Sequence, residues 1–190
     1  MKPERWVASY ADYLYSLAVM KTGDREAAQD LVQEVFLSAI RASDSFKGLS
    51  SEKTWLTAIL NNKVIDFYRK KDVLKDAGDY LASTDTSFHT SFFEPESERH
   101  GHWRRDVAPK EWEEGPDTTM ERKEFYEVLQ HCISQMPLKL VPAFVAKYIE
   151  DQDSDKICKD LNLSPSNYWV MLHRAKLLVR SCLEKNWFVK

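Results

Sequence analysis

Apolar residues recur along the first seventy positions at the three- and four-residue spacing of a helix face, in three successive blocks. From Trp6 to Met20 the stripe is Trp6, Tyr10, Tyr13, Leu14, Leu17 and Ala18. Thr22-Gly23-Asp24 stops this helix and supplies Asp24 as N-cap of the next, whose stripe is Ala28, Leu31, Val32, Val35, Phe36, Ala39 and Ile40, running to about Ala42. A third helix begins after Ser50-Ser51, with either serine as its cap. It carries Trp55, Leu56, Ile59, Leu60, Val64, Phe67 and Tyr68 to a basic end at Arg69-Lys70-Lys71. Three helices with short joints predict a small bundle.

The periodicity then stops and resumes near Thr119. Phe125, Val128, Leu129, Cys132, Ile133 and Met136 stripe one helix, which Pro137 ends. Pro142, tolerated in a first turn, opens another with Phe144, Val145, Tyr148 and Ile149. A short helix from Asp153 to Leu161, a turn at Asn162-Leu163-Ser164-Pro165 and a long helix from about Ser166 to Glu184 follow. Short helix, tight turn with one apolar residue and capped longer helix make a helix-turn-helix pattern. Between the two helical parts, Ala77 to Thr119 holds three of the seven prolines and three of the five glycines, with no sustained helical period. This stretch reads as a linker, yet it keeps Phe88, Phe92, Phe93, Trp103 and Trp112, aromatics that dock either on the flanking parts or on a partner. The expected fold class is all-α: helical domains at 1–75 and 121–190, the second with a helix-turn-helix, joined by a long acidic linker at 76–120.

Composition narrows the chemistry. Five glycines in 190 residues argue against glycine-rich phosphate loops, and no dinucleotide fingerprint is present. Cys132, Cys158 and Cys182 are an odd number without a C-x-x-C pair, so neither a disulfide framework nor a zinc knuckle is signalled, and a reducing cytoplasm is expected. His100, His102 and His131 add no ligand spacing, so no metal and no cofactor is expected. The N-terminus has no signal-peptide core, and no uncharged run is long enough to span a membrane, so no membrane insertion is expected.

The net charge of −3 seems to disfavour nucleic acid, but its distribution does not. Residues 41–75 carry eight basic against four acidic groups and residues 161–190 five against one, whereas residues 76–122 carry five against twelve. Two basic segments therefore flank an acidic one, and a ligand feels the local field at physiological salt. No nucleophile with its base and no carboxylate pair with distinct roles is apparent, so no catalytic residue is assigned and no enzyme is expected.

Three stretches carry a resemblance. They are Asp30 to Ala39 (DLVQEVFLSA), Phe46 to Leu56 (FKGLSSEKTWL) continuing to Asn62 and Asp66 to Lys71 (DFYRKK), and Ile157 to Lys176 (ICKDLNLSPSNYWVMLHRAK). In this order and spacing the chain resembles the extracytoplasmic-function sigma factors, small promoter-recognition subunits of bacterial RNA polymerase within the sigma-70 superfamily. The resemblance implies a first domain that docks on core polymerase and melts the −10 element, and a second that reads the −35 element. It places Asp30, Gln33, Glu34 and Leu37 against the clamp helices of the β′ subunit, and implies the β flap as a further polymerase contact.

Strand opening needs a pocket that stacks and bonds an extruded base. Phe46 falls where the family walls that pocket and Asn62 where it bonds the base edge, while Trp55 reads as core; Lys63, Arg69, Lys70 and Lys71 suit phosphates. In the long helix Tyr168, Leu172 and Ala175 are expected to pack inward. Trp169, Val170, His173 and Arg174 would then face the major groove, with Ser166, Asn167 and Lys176 near phosphates. Trp169 and Met171 depart from the basic or small polar residues usual there, leaving Trp169 either to meet thymine methyls or to pack against its own domain. The linker is longer and more acidic than the family minimum, and either threads towards the polymerase channel or only tethers. An anti-sigma partner is implied by the resemblance alone. Two rival readings remain open: a stand-alone helix-turn-helix regulator, and a helical adaptor that binds no DNA.

Overall fold

The computed structural model describes residues 3–71, 73–74, 76–94, 102–109 and 119–188. The chain divides into two compact units, Met1–Lys75 and Asp76–Lys190.

The first unit is a bundle of three helices, α1 (Trp6–Thr22), α2 (Arg25–Arg41) and α3 (Glu52–Lys70), each packed on the other two. Its ends follow from local chemistry. Gly23 takes φ 64°, a left-handed conformation that costs glycine nothing, and its N–H closes α1 on the Val19 carbonyl at 2.9 Å. The Asp24 carboxylate then accepts the Glu26 and Ala27 N–H groups, both at 3.0 Å, to start α2. Ser51 rather than Ser50 caps α3, accepting the Thr54 N–H at 3.1 Å.

Trp6, Leu14, Ala18, Ala28, Val35, Ala39, Leu56, Leu60 and Val64 are buried between the three helices. At roughly 1.5–3 kcal/mol for each large aliphatic side chain, this core outweighs any single cap. The end of α1 is fastened to α3 by polar groups. The buried Lys21 ammonium donates to Asn61 Oδ1 at 2.6 Å, and the Tyr68 hydroxyl donates to the Lys21 carbonyl. One stripe residue departs from expectation: Ile40 is 54% exposed, because it lies about 100° around the helix from the fully buried Ala39, outside the face that the bundle covers.

The second unit is built around α9 (Pro165–Asn186), which packs on α6 (Thr119–Ser134), α7 (Val141–Tyr148), α8 (Ser154–Leu161) and α4 (Ala77–Ser83). Asp153 caps α8, Asn162 turns the chain at φ 51°, and the Ser164 hydroxyl caps α9 by accepting the Asn167 N–H at 3.2 Å. Tyr168, Met171, Leu172 and Ala175 are buried, so Met171, read from sequence as an unusual surface residue, is core.

Two sequence expectations change here. The stretch after residue 76 contains helices α4 and α5 (Asp85–Phe92), which belong to the second unit. At seven and eight residues they are too short for a periodicity window to register, and packing rather than propensity sustains them. Phe93 and Trp103 then form an isolated antiparallel bridge, with their rings 4.6 Å apart. Arg180 of α9 lies over the Trp103 ring at 4.5 Å and donates to the Val107 carbonyl at 2.6 Å. The linker aromatics Phe88, Phe92, Phe93 and Trp103 therefore dock within their own unit, while Trp112 and His100 lie outside the described residues. The second change concerns cysteine: Cys132 of α6 and Cys182 of α9 form a disulfide across 50 residues, with Cα atoms 5.6 Å apart. Spacing alone gives no hint of it, since only the packing of α6 on α9 brings the two together, and cysteine usage no longer argues for a reducing compartment.

Candidate nucleic-acid interface

The candidate surfaces of the first unit lie on α2, on α3 and in the loop between them. Phe46, half-buried in that loop, packs on Trp55 at 4.9 Å, and Trp55 in turn meets Trp6 edge-on at 5.7 Å. Trp55 thus backs Phe46, and it is itself only half-buried. Asn62 is exposed on α3, seven residues on from Trp55. Two helical turns bring it back to the same face about 10 Å further along the axis. An exposed amide and a braced aromatic ring on one side of the bundle are the two kinds of group that an unstacked base uses: a π-face and a hydrogen-bonding edge.

On α2, Gln33 and Leu37 are exposed, Leu37 at 55%, and Ile40 continues their row at helical spacing. Sequence reasoning placed Ile40 in the core; together with Leu37 it forms an apolar ridge open to solvent. Asp30 and Glu34 sit differently. They line a groove of about 390 Å³ together with Lys63, Lys70 and Lys71 of the α3 end. The Glu34 carboxylate pairs with Lys63 at 3.1 Å, Lys71 with Asp24 at 3.5 Å and Arg69 with Asp66 at 3.9 Å. Groups assigned from sequence to two separate surfaces, one acidic and one basic, therefore share one mixed-charge groove. Its pairs are substantially exposed, which makes them weak and easily exchanged for other partners. Asp24 is held below the ordinary carboxylate value, chiefly by the Ala27 N–H; desolvation opposes this next most strongly, and the Glu26 N–H and the Lys71 charge add to the lowering.

In the second unit the helix-turn-helix is α8, the Asn162–Ser164 turn and α9. Ser166, Trp169, Val170, His173 and Lys176 are exposed, Trp169 at 58% and Val170 at 40%, and Asn167 is half-buried. Trp169 packs edge-on to the buried Tyr168 at 5.1 Å while keeping its outer face in solvent. Desolvation, followed by the Lys176 and Arg174 charges, lowers the His173 pKa, so the ring is neutral at neutral pH. A neutral imidazole presents one donor and one acceptor, a match for base edges rather than for phosphates.

Arg174 is the exception. Expected on the reading face, it is 3% exposed. Its guanidinium donates to Leu81 O at 2.8 Å, to Thr84 Oγ1 at 2.8 Å and to Asp85 Oδ1 at 2.6 Å, and it stacks over the Phe88 ring at 5.0 Å. These partners come from α4, α5 and the junction between them. Sequence reasoning missed Thr84 and Asp85 because their role depends on a segment nearly ninety residues away in the chain.

Among the described residues no helix is long and apolar enough to cross a membrane. Residues 6–73 match region 2 of the sigma-70 family and residues 126–179 match sigma-70 region 4. A probable RNA polymerase sigma factor of Haemophilus influenzae is 33% identical over 175 residues, covering 90% of this chain and 84% of that protein. The extracytoplasmic-function sigma factor SigW of Bacillus subtilis is 27% identical over 92% of this chain and 84% of its own length. The RNA polymerase sigma-H factor of Pseudomonas aeruginosa is 26% identical over 94% of this chain and 84% of its own. A region 2 bundle followed by a region 4 helix-turn-helix, with a relative of this identity across nearly the whole chain, places the protein in the sigma-70 family of RNA polymerase sigma factors, of the extracytoplasmic-function type.

Proposed function

We propose that the protein acts in the cytoplasm as an alternative sigma factor, binding core RNA polymerase and directing it to a specific class of promoters. The exposed Gln33, Leu37 and Ile40 row of α2 supports docking on the β′ clamp helices, with Asp30 and Glu34 at its margin and Glu34 exchanging its Lys63 partner for a polymerase group. Phe46, backed by Trp55, stacks an extruded −10 base and Asn62 bonds its edge, while Lys63, Arg69, Lys70 and Lys71 hold the phosphate backbone. Trp169, Val170 and His173 read the −35 element through thymine methyls and base edges, joined by Arg174 once it is free, with Ser166, Asn167 and Lys176 against phosphates. The β flap receives the second unit, and an anti-sigma protein holds the factor until it is needed.

The observation that carries this reading is the conjunction, in chain order, of a braced aromatic ring and an exposed amide on one unit and an exposed Trp169-Val170-His173 face on a helix-turn-helix of the other. Run-off transcription with core polymerase on a randomised promoter library tests it. The expected result is a defined pair of elements enriched only when the protein is present; transcripts without common elements overturn it.

A further inference from the structure

The chemistry around Arg174 has the form of an occupied binding site whose occupant is the chain itself. An arginine on a reading helix reaches for paired acceptors on a base edge or a phosphate. Here the junction of α4 and α5 supplies a carbonyl (Leu81), a hydroxyl (Thr84) and a carboxylate (Asp85), with the Phe88 ring stacked on the guanidinium. The covering extends along the helix. A Cβ added to Gly78 would lie 3.3 Å from the Asn167 amide, so α4 closely approaches the start of α9 there. Further on, Phe88 of α5 and Phe93 just beyond it face Trp169, Val170 and His173 of α9 across a groove of about 350 Å³. Asp85 is itself 74% exposed, so the contact is made at the rim of the unit and not in its core.

We propose that α4 and α5 are an intramolecular competitor for DNA, an acidic and aromatic clamp that covers the Arg174 flank of the −35 reading face and must leave before α9 can enter a major groove. The clamp rests on the reading of α9 as the DNA-binding helix. A duplex cannot lie along Asn167, Val170 and Arg174 while α4 and α5 occupy that side, because a major groove accommodates a single helix and little more. Binding is therefore weakened by the fraction of molecules in the open state. If nine molecules in ten are closed, freeing the clamp raises duplex affinity about tenfold.

The test uses the full chain and a pool of 30-bp duplexes with a randomised centre at one fixed salt concentration. It compares the wild type with Leu81→Ser/Phe88→Ser, which leaves the charge unchanged, and with Thr84→Val/Asp85→Asn, which removes one acceptor and one negative charge on the exposed side. Affinity is read by fluorescence anisotropy, and the state of the clamp by amide hydrogen exchange over residues 77–92 and 165–186. Support is an approximately tenfold gain in affinity for both variants, with protection lost over 77–92 and kept over 165–186. Equal affinity once the clamp has lost protection overturns the competitor while leaving DNA reading intact, and so does a wild-type complex with DNA in which 77–92 stays fully protected. Absence of duplex binding by every form, with or without core polymerase, overturns the DNA reading itself and the clamp with it.

Discussion

The two units treat their reading groups in opposite ways. In the first, Asn62, Leu37 and Ile40 face solvent, Phe46 is half-buried on Trp55, and charged residues beside them form exposed pairs such as Lys63 with Glu34. In the second, Trp169, Val170 and His173 are exposed while Arg174 beside them is buried under residues 81–88. The difference arises from chain connectivity. The first bundle closes on itself with three helices, whereas α9 is long enough for its buried stripe to serve α6, α7 and α8 while a flank is left for the segment that precedes them. One surface is ready and the other is partly covered.

Several experiments break or sharpen that contrast. The largest effect is expected from Asn62→Ala, which removes the base-edge partner from the open surface. It should abolish opening of the −10 region while core polymerase binding persists, as read by permanganate footprinting, and unchanged thymine reactivity would remove Asn62 from the pocket. Next is the disulfide that ties α6 to α9. Cys132→Ser should lower the stability of the second unit by about 3 kcal/mol in denaturant titration under oxidising conditions and leave the first unit's transition in place. A loss shared equally by both units would contradict confinement of the disulfide's effect to the second.

Breaking a pair in the mixed groove should matter far less. Glu34→Gln is expected to change stability by no more than about 1 kcal/mol, since the Lys63 pair is exposed, and any larger effect should appear in polymerase affinity instead. The smallest effect concerns acid. The Asp24 carboxyl titrates lower in the folded than in the unfolded chain, so the unfolded state binds more protons in the window below the ordinary value of 3.8. Its contribution is therefore complete above that value and is lost as pH falls through the folded pKa. The stability gap between wild type and Asp24→Asn should narrow on that descent, and a gap that widened would reverse the assigned sign.

Much of this architecture was legible beforehand because it is local. The Gly23 stop, the Asp24 cap, and the stripes of α1, α2, α3 and α9 depend on residues within one or two turns of each other. Where a residue's role depended on a distant segment, the reading failed. Ile40 belongs by spacing to an apolar stripe, but the bundle is narrower than the stripe. Thr84 and Asp85 look like polar linker residues until Arg174 arrives from the other end of the unit.

The sequence by itself therefore determined the helices other than α4 and α5, the Gly23 stop and Asp24 cap, the order of the two modules and the kinds of side chain on each candidate surface, since these follow from spacing and short-range hydrogen bonding. Only the tertiary structure decided which of those side chains are available. Burial of Met171 and Arg174, the union of Cys132 with Cys182 and the sharing of one groove by Glu34 and Lys63 are each set by which helix lies against which. Non-local packing of that kind is a property of the folded chain as a whole, and no window of sequence contains it.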